Sequence, residues 1–314
     1  MVKPPLPVHA SLPHPCASWS KNAPDERRVR LLRREPGRIL LERLVRKSEV
    51  WSIQAMSNHN PDPFAAVKDR IWFYEFELPD GTRTRTDLPL DVLRIHTSRR
   101  EKLVRTIREH VPNAADLTAL DFGSHEGYYS IELAKHFAAV RGLEVRSESI
   151  AAAQMITGAL GIENTSYVEV DLQRMRYDQS LCADFVLVYG LIYHLENPIH
   201  VLRLAAELSR RHLLVETQVF PYDVSGRIED GHYQWQRAVE GVFSLSADYS
   251  THRDGGSTDL ALIPSLNALM FLLRTFGFEQ LQVLAPDQDD YEQFCRGSRV
   301  VVYGSKSPPV GTDG

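Results

Sequence analysis

The chain has 314 residues and a mass of 35.7 kDa, of which 43% are hydrophobic and 25% charged, with a formal net charge of -5. That balance supports a buried core and excludes a chain disordered throughout. The longest apolar run, residues 185–193, is about half of the roughly 20 residues that a membrane-crossing helix needs. Pro4 and Pro5 stand where a secretory signal would carry its apolar segment, so a cytoplasmic location without a membrane partner is expected. Cys16, Cys182 and Cys295 are too far apart for a C-x-x-C pair, and neither a disulfide framework nor a metal centre is expected.

Charge is unevenly spread. Residues 1–50 hold eleven Lys/Arg against five Asp/Glu, a net of +6, which leaves -11 for the rest. Residues 1–24 are rich in Pro, Ser and His without apolar periodicity and read as a flexible arm. From Asp25 to Trp51 apolar residues recur at helical spacing, interrupted by Pro36-Gly37, which predicts two short basic amphipathic helices. Two β-prone runs flank Pro79-Asp80-Gly81 and predict a hairpin over 71–88. These pieces form an N-terminal extension over residues 25–115, closed by a helix over Arg99–Val111.

From Leu117 the chain alternates. Strands are predicted at Thr118–Phe122, Ala139–Leu143, Ser166–Val170, Phe185–Tyr189 and Leu213–Glu216, with helices at Tyr129–His136, Ser147–Leu160 and Pro198–Arg210 between them. Such alternation requires a parallel sheet with helices on both faces, a doubly wound α/β domain. Residues 220–265 form a long irregular insertion, read as a lid over a pocket. A helix at Leu266–Phe276 and two antiparallel strands, Gln280–Leu284 and Arg299–Tyr303, complete a domain over 116–305, and 306–314 form a tail.

Asp121-Phe122-Gly123-Ser124-His125-Glu126-Gly127 closes the first strand with an acidic residue, two glycines four apart and a helix start. Glycines let backbone approach a ligand, and the helix start offers free N–H groups. The pattern is a nucleotide-type loop, with His125 where dinucleotide loops place a middle glycine. Glu144, at the end of the second strand, can accept hydrogen bonds from ribose hydroxyls, and Asp171, after the third, can meet an adenine amino group.

The order Asp121-x-Gly-x-x-x-Gly, Glu144, Asp171 and Tyr189-Gly-Leu-x-Tyr-His-Leu-Glu-Asn-Pro198 resembles a class I S-adenosylmethionine-dependent methyltransferase. Within that class it is similar to the group of tRNA wobble-uridine carboxymethoxy-forming methyltransferases, which share the Tyr-His-x-x-x-Pro turn and a following Glu-Thr, here Glu216-Thr217. The resemblance covers about residues 70–304. It implies a Rossmann-like seven-stranded sheet of order 3-2-1-4-5-7-6 and S-adenosyl-L-methionine as cofactor. It also implies that Asp121, Gly123, His125, Gly127, Glu144, Asp171, Leu172, Tyr189 and Gly190 contact that cofactor. In the wobble-uridine group the Tyr-His turn continues with basic residues, whereas here it reads Leu195-Glu196-Asn197.

Methyl transfer from a sulfonium is an in-line displacement, so positioning supplies much of the acceleration and a base is optional. His194 is the nearest candidate base and Glu216 the second; each also has a structural reading, as a helix cap or a buried network. Tyr193 and the insertion residues His232, Trp235, Ser257 and Ser265 are candidate acceptor contacts. The acceptor is expected to be a small molecule of secondary metabolism, methylated on oxygen or nitrogen. Nucleic acid fits less well, because phosphate binding calls for a broad basic surface and the catalytic part is acidic. The tRNA enzyme and a catalytically silent binding module stand as alternatives, and the N-terminal segment offers a homodimer contact.

Overall fold

In the computed structural model the described residues are 62–230, 235–248 and 258–307. The arm, the two basic helices, His232, Ser257 and most of the tail lie outside them.

Seven strands form the central sheet: Thr118–Phe122 (β1), Ala139–Glu144 (β2), Thr165–Glu169 (β3), Ala183–Tyr189 (β4), Ser209–Gln218 (β5), Gln280–Val283 (β6) and Arg299–Ser305 (β7). Their spatial order is β3-β2-β1-β4-β5-β7-β6, as the resemblance implies. β1 to β5 are mutually parallel and β7 runs antiparallel between β5 and β6.

Five helices cover it: Leu90–His110 (α1), Tyr128–Ala134 (α2), Ser147–Ala159 (α3), Pro198–Leu208 (α4) and Leu266–Thr275 (α5). Both faces of the sheet are buried, and strand alternation sorts the core into two layers. Phe185, Leu187 and Tyr189 of β4 pack with Leu103 and Ile107 of α1, Leu133 of α2 and Ile156 of α3. The intervening Val186 and Val188 pack with Val201 and Leu204 of α4 and Leu269 and Leu273 of α5. Burying each such side chain stabilises the fold by about 1.5–3 kcal/mol. Helix starts follow local chemistry: Asn197 caps α4 through His200 N at 3.2 Å, with Pro198 in the first turn.

Three expectations change. α1 starts at Leu90, nine residues before the periodicity suggests, because its buried face includes His96, Ser98, Arg99, Lys102 and Thr106 among its apolar residues. Lys102 is held there by Asp290 at 2.6 Å and the Ala285 carbonyl at 3.2 Å. The segment 71–88 turns at Pro79-Asp80-Gly81, with Leu78 N bonded to Thr82 O, but it is no continuous hairpin. Glu77 and Arg83 form an isolated antiparallel bridge, and Ile71–Trp72 pairs in parallel with Arg85–Thr86. Trp72, Tyr74, Phe76 and Leu78 are buried in alternation, so core packing holds this stretch. Finally, the insertion is not irregular. It contains two antiparallel pairs, Ser225–Asp230 with Trp235–Glu240 and Phe243–Ala247 with Leu260–Pro264. The second docks on the body through Leu262 N to Leu195 O at 2.9 Å.

Candidate active site

The carboxyl ends of β1, β2, β4 and β5 open onto a cavity of about 300 Å³, closed from α1 by Ile95, His96 and Arg99 and from the aromatic segment by Phe73 and Tyr74. It lies where the strand order reverses between β1 and β4, the place where open α/β sheets bind ligands.

On the β1–β2 side the chain turns sharply. Gly123 has φ +69° and His125 φ +48°. The left-handed region costs a side chain little only at glycine, and His is among the residues that tolerate it best. His125 therefore takes the glycine-like position read from the motif, and its N–H donates to Glu144 Oε2 at 2.9 Å. Glu144 Oε1 accepts from Val145 N and Arg146 N at 3.0 Å each. Three of about four acceptor sites of a carboxylate are thereby used, and the remaining one belongs to Oε2, on a side chain that lines the cavity. Asp171 and Leu172 line the same end, with Asp171 Oδ1 accepting from Gln173 N at 2.9 Å.

Two residues of the motif lie behind this wall. Asp121 is buried and accepts from Ser130 Oγ at 2.6 Å; it joins β1 to the start of α2 and is not among the cavity-lining residues. A Cβ at Gly127 would stand 2.5 Å from Tyr167 Oη, so this glycine serves close packing of loop on sheet. Burial pushes the Asp121 carboxyl up to about 7, with the Ser130 hydrogen bond opposing and the Glu144 charge adding. The folded chain then keeps a proton that the unfolded chain releases near pH 4, so stability falls as pH rises from about 4 through about 7. Asp121→Asn should flatten that slope, which is worth on the order of a few kcal/mol, in thermal unfolding followed between pH 4.5 and 8. A slope unchanged from the wild type would show that Asp121 does not carry it.

On the β4–β5–β7 side three charges meet. Glu216 of β5 is fully buried; its Oε1 accepts from Arg299 at 2.7 Å and its Oε2 from Arg99 at 2.8 Å and from Gly190 N at 2.9 Å. Burial alone would raise this carboxyl, but the two guanidiniums hold it below its ordinary range. Glu216 is thus a permanently ionised anchor, and its side chain is not part of the cavity wall. That corrects the candidate base: a poor proton acceptor, paired on both oxygens, cannot take a proton from a substrate in the cavity. Gly190, at φ +66°, leaves room for Arg99, whose guanidinium would lie 2.9–3.1 Å from a Cβ there.

Tyr193 and His194 follow β4 in a short 3-10 turn, Ile192–His194, and both line the cavity. Tyr193 Oη accepts from Arg99 at 3.2 Å, and the Arg299 guanidinium lies 4.9 Å from the Tyr193 ring centroid. His194 Nδ1 lies 2.8 Å from Asp248 Oδ2. A carboxylate on Nδ1 fixes the tautomer with its proton there and leaves Nε2 as the acceptor. Asp248 follows the strand Phe243–Ala247, so the insertion contributes to the site through a residue that the sequence did not single out.

Ser265, a candidate acceptor contact, is instead a helix cap. It is fully buried, donates to Asp223 Oδ1 at 2.8 Å and accepts from Ala268 N at the start of α5. Trp235 opens the strand that pairs with Ser225–Asp230. Gly123, His125, Glu144, Asp171, Leu172, Tyr189, Gly190, Tyr193 and His194 are all brought to the cavity. Sequence reasoning missed His96, Arg99, Gln293 and Arg299, which come from α1, the connection between β6 and β7, and β7 itself. Only a polar stripe at spacing 96, 99, 102 and 106 within an otherwise helical segment could have signalled the first two.

Residues 120–212, from β1 into β5, match a family described as a methyltransferase domain. No curated protein sequence matches the chain. Among solved structures, the chain is similar to the N-terminal domain of EvdMO1, crystallised in the presence of SAH and D-fucose. The two share 19% identity over 75% of this chain and 91% of that one, with a TM-score of 0.55. The same domain with SAH bound gives 19% identity, the same coverage and a TM-score of 0.54. Magnesium protoporphyrin IX methyltransferase from Synechocystis PCC 6803, with bound SAH, shares 14% identity over 70% of this chain and 89% of that one, at a TM-score of 0.46. At these identities the likeness is one of fold. The family match is confined to residues 120–212, and the seven-stranded sheet around them has the Rossmann-like order of class I methyltransferases. Among the described residues no helix is long and apolar enough to cross a membrane.

Proposed function

We propose that the chain is an S-adenosylmethionine-dependent methyltransferase acting on oxygen or nitrogen of a small molecule. The observation that carries this reading is Glu144 at the end of β2, facing the same cavity as Gly123, Asp171 and Leu172 with one acceptor site unused. That set of groups suits an adenosine: a carboxylate to accept from a ribose hydroxyl, a second carboxylate and an apolar side chain for the base, and a glycine turn where backbone can come close. S-adenosylmethionine supplies a methyl group made electrophilic by its sulfonium.

The chain supplies the rest. Gly190 and Tyr189 end β4 beside the turn that carries Tyr193 and His194. His194, oriented by Asp248, accepts the proton of the acceptor's hydroxyl or amine. Phe73, Tyr74, Ile95 and His96 wall the cavity, limiting water and acceptor size. A cavity of this size favours a small acceptor over a nucleotide held in tRNA, and the acidic body adds to that preference.

Calorimetry with S-adenosylhomocysteine tests the cofactor assignment. Glu144→Ala should weaken binding by about 1–3 kcal/mol, the cost of stranding a hydrogen-bonding hydroxyl, while leaving the fold intact. No binding by the wild type, or equal binding by the variant, would overturn it.

A further inference from the structure

The cluster behind Tyr193 is not electrically balanced. Arg99 and Arg299 bring two positive charges and Glu216 one negative charge, so one positive charge remains among side chains that are 5% and 4% exposed. Its donors are not all used either. Arg99 Nε is buried with no acceptor. His96, one turn before Arg99 on α1, is 5% exposed, lines the cavity and has no partner on either ring nitrogen. Burial, with Arg99 and His125 nearby, holds its imidazole neutral, so it keeps one N–H to donate. Unpartnered buried donors are costly, and an unbalanced buried charge more so. A wall that gathers all three around one cavity is complementary to an oxyanion.

We propose that Arg99, Arg299 and His96 bind a carboxylate of the methyl acceptor, which makes the substrate an organic acid small enough for the cavity. This rests on the methyltransferase reading and names its substrate class. For Arg299, position assigns the carboxylate to the acceptor, not to the amino-acid end of the cofactor. Arg299 stands on β7, four strands from Glu144 on β2, roughly 19 Å across the sheet at the usual strand spacing. A methionyl chain extended from a ribose at Glu144 spans about half of that. Tyr193 touches both guanidiniums and precedes His194, so an acid anchored on the arginines presents its far end to the His194 imidazole.

The test uses the full chain with and without saturating S-adenosylhomocysteine, and measures binding of benzoate, 4-hydroxybenzoate and 3-phenylpropionate beside their neutral amides. At least one acid should bind about tenfold tighter than its amide, the strength of a charge-assisted contact, and His96→Phe and Arg99→Gln should each reduce that preference. Arg99→Gln disturbs a buried ion pair; His96→Phe keeps an aromatic ring against Phe73 and Tyr74 and carries the test if the first variant does not fold. No acid preferred over its amide, or a preference untouched by His96→Phe, would overturn the proposal. So would variants that weaken S-adenosylhomocysteine but not 5′-methylthioadenosine, because the arginines would then read the cofactor's own carboxylate. Acid preference without any S-adenosylhomocysteine binding would retire the methyltransferase reading and leave the anion site standing.

Discussion

Glu216→Ala is expected to lower the unfolding free energy by about 3–5 kcal/mol, the effect of removing one partner from a buried ion pair. Two guanidiniums that now share one carboxylate would be left buried together, and Gly190 N would lose its side-chain acceptor. The loss should appear as a lower midpoint in urea denaturation, before any question of activity arises. Glu216→Gln keeps an acceptor for Gly190 and one guanidinium, so it should fall between wild type and Ala. If both variants unfolded like the wild type and only turnover fell, Glu216 would be acting on substrate, and its placement behind the cavity wall would have been misread. The arginines also cannot be replaced singly without cost: removing either one leaves Glu216 with half its compensation.

His194→Ala should reduce the rate of methyl transfer by about 10² to 10⁴-fold, the span of general-base contributions. S-adenosylhomocysteine affinity and thermal stability should stay near those of the wild type, because His194 is a partly exposed residue of a short turn and not part of the core. Asp248→Asn should act in the same direction and by less, since it leaves the imidazole in place but removes the charge that favours the productive tautomer. Initial rates with radiolabelled methyl donor, measured with the acid that binds best, would read both. A wild-type rate in His194→Ala would mean that the chemistry needs positioning alone, with the His194–Asp248 pair serving only to dock the insertion.

The chemistry of the two halves of the cavity was legible to different degrees. The β1–β2 half lies within one continuous segment, where strand, glycine turn and helix start follow one another and each residue type has a local reason. Even there the roles split on packing. Gly123 and Glu144 face the cavity, while Asp121 and Gly127 of the same β1 loop bond Ser130 and admit Tyr167 from behind. The other half assembles Arg99 from an N-terminal helix, Glu216 from β5 and Arg299 from β7, with Asp248 from the insertion. These are separated by up to 200 residues, and nothing in the spacing of any one of them announces the others. Glu216 shows the consequence. A glutamate at the end of a strand beside a cofactor site has the right address for a base; two arginines from distant parts of the chain convert it into an anchor.

By itself the sequence determined the alternation of strands and helices and the glycine turn after β1, while the strand order was what the resemblance to class I methyltransferases implied. The alternation and the turn depend on local periodicity, on backbone conformations that glycine permits and on connections that are short and right-handed. Tertiary structure alone decided which carboxylate is ionised and silent, which histidine has a carboxylate behind it, and where positive charge exceeds negative. Those properties are set by burial and by partners across the fold, because a charge in a low-dielectric interior takes its character from neighbours within a few ångströms and not from its place along the chain.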